Sequence, residues 1–370
     1  MNDLYRKTFD EIHASAALRQ EVLNMTKQEK AAARRQIPRV ALIAAIIVLV
    51  LAGTALAAAL PGIQQWFGQQ WTKETGKAIE TDQMGIITGL TDDVGVSAES
   101  GGVTVTVDSI TRGREGLWVL MKIDGVPSEA ELEVMLGQYE HPIEGLPEGI
   151  TPPSKRHYGF TGLDMKVTPS ETEEDDFSSC GVLQESRGED GSLNLLYHFE
   201  PPADMTYTPL DAERLTLKFG GLQWGYLGGY VPLGDGPWAL DIPLAPIEDQ
   251  PMLTTGPCTL SCNAQFDGPW DSSTMGPFPQ VEVSFQDIQV TATGCTLFWA
   301  DPGQTEEAMA PKGIFLVMKD GAELQLDSSG SFWHEQPDGS IVTRKCWPVP
   351  VDLCQVEALR YGHDQVLELN

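Results

Sequence analysis

Apolar positions along this chain follow three successive patterns: helical spacing, an unbroken run, and alternation. Near the N-terminus Tyr5, Phe9 and Ile12 recur at intervals of four and three, which places them on one helix face. Ser15 is placed to cap a second helix, in which Leu18, Val22 and Met25 recur in the same way. Residues 40–60 then read VALIAAIIVLVLAGTALAAAL, with no charged side chain. At 1.5 Å per residue such a run spans roughly 30 Å, the thickness of a bilayer's hydrocarbon core. The pattern therefore predicts a head over 1–39, a transmembrane helix over 40–60, and a large body beyond it.

Immediately after the run, PGIQQWFGQQWTKETGKA has Ile63, Trp66 and Phe67 at helical spacing. Two readings of this helix stand. Trp66, Phe67 and Trp71 suit a membrane–water interface, where an aromatic ring satisfies both an apolar and a polar side; alternatively the helix packs on the body. The following TDQMGIITGLTDDVGVSAESGG is rich in Gly, Thr and Asp and reads as a connector, so 61–95 is assigned as juxtamembrane helix and connector.

From about residue 96 alternation takes over. VTVTVDSI (103–110) and LWVLMKI (117–123), separated by TRGREG, predict a hairpin. LNLLYHFE (193–200), RLTLKF (214–219) and PWALDIPL (237–244) are further strands, and SEAELEVMLGQY (128–139) is the one helical stretch among them. The pattern also repeats. At an offset of 178, VTVTVDSI matches VEVSFQDI (281–288), Gly116 matches Gly294, and LWVL matches CTLF (295–298). Pro209-Leu210-Asp211 leading to Lys218-Phe219-Gly220 is echoed by Pro350-Val351-Asp352 leading to Arg360-Tyr361-Gly362. Ordered agreement at two places predicts an internal duplication. The fold expected is mainly β: two Ig-like β-sandwich domains outside the membrane, 96–247 and 252–370, after a helical head and one span.

Charge sets the orientation. The chain has 24 basic and 53 acidic residues; the head alone has eight and five, net +3, which leaves −32 on the rest. Positive flanks stay inside, so the head is expected in the cytoplasm and the C-terminal body outside the cell membrane. An acidic body repels phosphates, which argues against direct nucleic-acid binding. A cleaved signal peptide is the rival to an anchor, since Ala55-Leu56-Ala57 resembles a cleavage site. The 39 residues before the run and its length both exceed what a signal peptide needs.

All six cysteines lie beyond the run, in the compartment where disulfides persist. Cys258 and Cys262, if on one strand, share a face about 13 Å apart and do not bridge each other. Bridges to other partners and buried free thiols both remain open. No P-loop, GxGxxG, HExxH or GxSxG occurs. His334-Glu335 lacks the second histidine of a zincin, and His141, His157, His198 and His363 are scattered. Glu171, Glu173, Glu174, Asp175 and Asp176 cluster without EF-hand spacing and read as a solvated loop. No catalytic, cofactor or metal residues are assigned, and the chain is not read as an enzyme.

The head MNDLYRKTFDEIHASAALRQEVL, the basic linker, the single span and GVTVTVDSITRGREGLWVLMKID together resemble single-span bacterial membrane proteins regarded as negative effectors of extracytoplasmic-function sigma factors. Those carry an uncharacterised β-rich domain after the span. The head has His13 but no cysteine, which departs from the zinc-binding type of anti-sigma head. The resemblance implies a regulator that holds a sigma factor through the head and senses the envelope with the body. Two short helices cannot bury a core of their own, so Tyr5, Phe9, Ile12, Leu18, Val22 and Met25 are the expected partner surface. An envelope adhesion, scaffold or ligand-binding protein with a merely topogenic tail is the alternative.

Overall fold

Alternation builds most of the described chain, and the fold is mainly β, with several antiparallel sheets. The computed structural model describes residues 62–139, 157–168, 179–200, 209–226, 229–245, 247, 250–263, 280–304, 313–326, 333–336, 339–362 and 364–370. All of these fall within one compact unit, Ala55–Asn370. The head, the apolar run at 40–60 and the acidic cluster at 171–176 lie outside the described residues. Among those described, no helix is long and apolar enough to cross a membrane.

Two helices come first, α1 (Gly62–Thr75) and α2 (Thr81–Gly89). The strands of the first half are β1 (Thr91–Ser100), β2 (Val103–Arg112), β3 (Leu117–Asp124), β4 (His157–Thr161), β5 (Asp164–Thr168), β6 (Ser179–Arg187), β7 (Leu193–Glu200), β8 (Arg214–Tyr226) and β9 (Gly229–Pro243). Helix α3 (Glu129–Tyr139) follows β3. One sheet runs β1-β2-β3-β7-β6; in the other, β4 and β5 lie in line along one edge of β8, and β9 takes its other edge. Val105, Met121 and Leu195 from one sheet share a core with Leu217, Phe219 and Trp238 from the other. The Trp238 indole, fully buried, donates to Val103 O across that core at 3.0 Å.

The second half comprises β10 (Leu253–Thr254), β11 (Cys258–Asn263), β12 (Gln280–Val290), β13 (Gly294–Trp299), β14 (Ile314–Met318), β15 (Glu323–Gln325), β16 (Trp333–Glu335), β17 (Ile341–Cys346), β18 (Val356–Tyr361) and β19 (Gln365–Glu368). Its first sheet is β10-β12-β13-β17-β16, with β11 in line with β10 on the edge of β12. Its second is β15-β14-β18-β19. The order edge–β2–β3–β7–β6 thus recurs as edge–β12–β13–β17–β16. A short 3-10 turn precedes both β8 (Pro209–Asp211) and β18 (Leu353–Gln355); the Pro-x-Asp motif forms the first and ends at the cap of the second, Asp352.

The repeat extends to backbone detail. Pairing of β2 with β3 shifts register between Val107 and Ser109; pairing of β12 with β13 shifts between Phe285 and Asp287, the same place at the 178-residue offset. Each hairpin turn is closed alike, Gly113 N donating to Gly116 O and Thr291 N to Gly294 O, both at 2.9 Å. The two turns meet. Glu115 accepts hydrogen bonds from Thr291 Oγ1 at 2.6 Å and Thr293 Oγ1 at 2.8 Å. A Cβ on Gly113 would collide with the Thr293 side chain, so only glycine permits this approach.

One sequence expectation is corrected, and of the two readings of α1 the helix packed on the body is the one observed. The segment read as a connector holds α2 and β1. Its apolar residues are few, but Met84, Ile87 and Leu90 are buried, and Gln83 clamps the loop before the second 3-10 turn by donating to Pro350 O and accepting from Asp352 N. Trp66, Phe67 and Trp71 do not form an exposed interfacial girdle; they are buried in the core that α1 shares with the second half. Cys258, Cys262, Cys295, Cys346 and Cys354 carry free thiols. Cys258 and Cys262 do share a face of β11, with the buried Leu260 between them.

Candidate functional site

The six head residues singled out from the sequence, Tyr5, Phe9, Ile12, Leu18, Val22 and Met25, lie outside the described residues. A different site is visible in the body. It forms where α1 crosses the outer face of the first sheet.

Strand alternation creates this face. In β3, Leu117, Val119, Met121 and Ile123 point into the core, which turns Trp118, Leu120 and Lys122 outward; in β7, Asn194, Leu196 and His198 point the same way. Register aligns them in three rows. Trp118 pairs with His198, Leu120 with Leu196 and then Gln184, and Lys122 with Asn194 and then Ser186. Helix α1 covers the middle. Ile63, Trp66, Phe67 and Trp71 form its buried face, and Phe67 meets Trp118 edge-on with ring centroids 5.7 Å apart. Gly62 gives the closest approach: a Cβ there would lie 2.7 Å from Leu120 Cδ2.

A cavity opens on each side of α1, and Trp66 lines both. The first, about 380 Å³, is walled by Trp118, His198, Cys346 and Trp347, with Gln70 and Lys73 at its rim. The Trp118 and His198 rings stack at 4.8 Å. Behind this wall lies the contact of the two turns. Cys346 Sγ donates to Glu115 O at 3.2 Å, and Trp347 donates through its indole to Thr291 O at 3.1 Å. Burial raises the Glu115 carboxyl above its ordinary range, against the pull of the two threonine hydroxyls, Arg344 and Arg114. Burial thus favours the protonated form of this hydrogen-bonding group between the halves.

The second cavity, about 470 Å³, has Gln65 and Gln69 of α1 above, and Gln184, Asn194, Ser186 and Leu120 of the sheet below. Asp108, at the β2 bulge, and Lys122 flank it. Lys122 is held to one side by Asp190 at 2.7 Å. That hydrogen bond raises the lysine and, with the Ser192 hydroxyl and amide, holds the Asp190 carboxyl well below the usual carboxylate range. The Trp66 side chain is 8% exposed, and its buried Nε1 has no acceptor among the described residues.

His198 lies inside a strand as its sequence context indicates. The amides were not found from sequence, because alternating polar residues on a strand look like an ordinary solvated face. The usable signal was the glutamine-rich flank of α1 combined with the polar phase of LNLLYHFE.

No family model and no curated protein matches the chain. A solved structure, the crystal structure of the conserved domain protein from Bacillus anthracis, is similar over 75% of this chain and 81% of its own, at 8% identity and a TM-score of 0.37.

Proposed function

We propose that this protein is a single-pass, membrane-anchored regulator. Its cytoplasmic head holds an extracytoplasmic-function sigma factor through Tyr5, Phe9, Ile12, Leu18, Val22 and Met25, and its outer body, two Ig-like β-sandwiches, senses the envelope. The choice of a sigma factor rests on the family resemblance. One structural observation supports the coupling: α1 begins two residues after the apolar run ends, and its apolar face is buried against both halves of the body. The sandwich reading draws on the paired sheets sharing one core and on the repeated strand order.

The test uses the full chain in membranes. Phe9→Asp with Val22→Asp places charges on both head helix faces, which helix-in-groove binding does not tolerate. The double variant is expected to release the sigma factor in co-purification and raise transcription of its targets, while Lys27→Gln changes little because exposed charges contribute about 0–1 kcal/mol. Equal retention and repression by the double variant, with anchoring intact, overturns the proposed surface. Absence of any sigma factor in the wild-type co-purification overturns the anti-sigma reading.

A further inference from the structure

We infer that the cavity between α1 and the outer face of the first sheet is a binding site for a neutral, hydroxyl-rich ligand, a mono- or disaccharide. The inference deepens the sensing reading above and rests on it for its biological role, though not for its chemistry.

The side chains set the class. Gln65, Gln69, Gln184 and Asn194 bring four carboxamides to one cavity from three elements. A carboxamide presents a donor and an acceptor side by side in one plane, which matches adjacent hydroxyls that each donate and accept. An anionic ligand would call for unpaired cations. Here the cation, Lys122, is already engaged by Asp190 at 2.7 Å and lies 3.8 Å from Asp124, and Asp108 adds a negative charge beside it. A peptide adding as a strand needs a free sheet edge, whereas this site lies over the face of β3, β6 and β7. Its base is apolar, Leu120 and Leu196, as the C–H faces of a sugar ring require. Trp66, buried to more than nine-tenths, adds an aromatic wall to this cavity. Such a ring offers an apolar face to the C–H groups of a sugar. The volume, about 470 Å³, falls within the roughly 300–1,000 Å³ of small-molecule sites.

Titration calorimetry on the full chain in detergent tests this, with maltose, cellobiose and N,N′-diacetylchitobiose as probes and trialanine as the contrasting one. At least one disaccharide is expected to bind with a Kd below about 1 mM. Asn194→Ala and Gln184→Ala, both at partly exposed positions, should each weaken it about tenfold. Ser186→Trp, which fills the cavity from its floor, should abolish binding; Glu357→Ala, exposed on β18, should not change it. Tryptophan emission should shift on binding in wild type and remain unshifted in Ser186→Trp. If none of the disaccharides binds, if trialanine alone binds, or if the cavity variants bind like wild type, the inference is overturned. Saccharide binding with no change in sigma-factor release would leave this inference standing and overturn only the sensing role.

Discussion

Glu115 ties the hairpin turns of the two halves together. It comes from the β2–β3 turn and accepts from both threonines of the β12–β13 turn, wholly out of solvent. Burial raises it above the ordinary carboxyl value of 4.5. In the pH range above that value the folded chain keeps a proton that the unfolded chain has released, so stability falls as pH rises, until Glu115 itself ionises. Glu115→Gln keeps an acceptor for the threonines and removes the ionisation. Thermal unfolding followed across pH should therefore show a downward wild-type trend, up to about 1.4 kcal/mol per pH unit, that flattens in the variant. Parallel curves would mean that Glu115 is not the group responsible. Arg112 is buried by a different device: Asp92 pairs with it at 2.7 Å, and Ala212 O accepts from it at 3.1 Å. Neither group is conspicuous in the sequence, since a Glu and an Arg in TRGREG look like ordinary loop charges.

At the scale of elements, α1 is the part whose role the sequence left divided. Its aromatic residues fit either a bilayer surface or a protein core, because both reward an apolar ring. What decides is the partner: Trp118 and His198 stand on the outer face of a sheet that would otherwise expose them. Phe67 is fully buried there. Phe67→Ala should cost about 3–5 kcal/mol by opening a cavity, read as a lower unfolding midpoint for the full chain. A shift below about 1 kcal/mol would show that α1 is only loosely held. The strands 103–110, 117–123, 193–200 and 214–219 were legible from alternation, because one face of each is a continuous apolar stripe. Helix α2 and strand β1 were not. TDQMGIITG offers only a few apolar residues to a core, and β1 is broken by a register shift between Asp93 and Val96, with Gly95 in a left-handed conformation at φ 69°.

For the whole molecule, the membrane reading predicts sidedness that a native thiol can report. Cys354 is exposed on the body, whereas burial pushes Cys262 up to about 11 and Cys295 further still, leaving both unreactive. A membrane-impermeant maleimide on intact cells should modify Cys354 and not a cysteine introduced by Ser15→Cys. The reverse pattern overturns the orientation. Ile46→Arg with Leu49→Arg should oppose insertion by roughly 2.5–3.5 kcal/mol each, seen as loss of the chain from the membrane fraction. The groove was not legible in the sequence, because its amides come from strands and a helix that only the fold brings together.

The meeting of the two turns has a geometric consequence. Glu115 touches Thr291, and Gly113 faces Thr293; under the 178-residue correspondence these are one contact and its mirror, i to j and j to i. The repeats therefore associate as the subunits of a two-fold dimer do, through the same patch on each. Such a surface is used up once it is filled. Unlike the head-to-tail stacking of solenoid proteins, it offers no free end for a third repeat, so lengthening the body by further copies would require a different surface altogether.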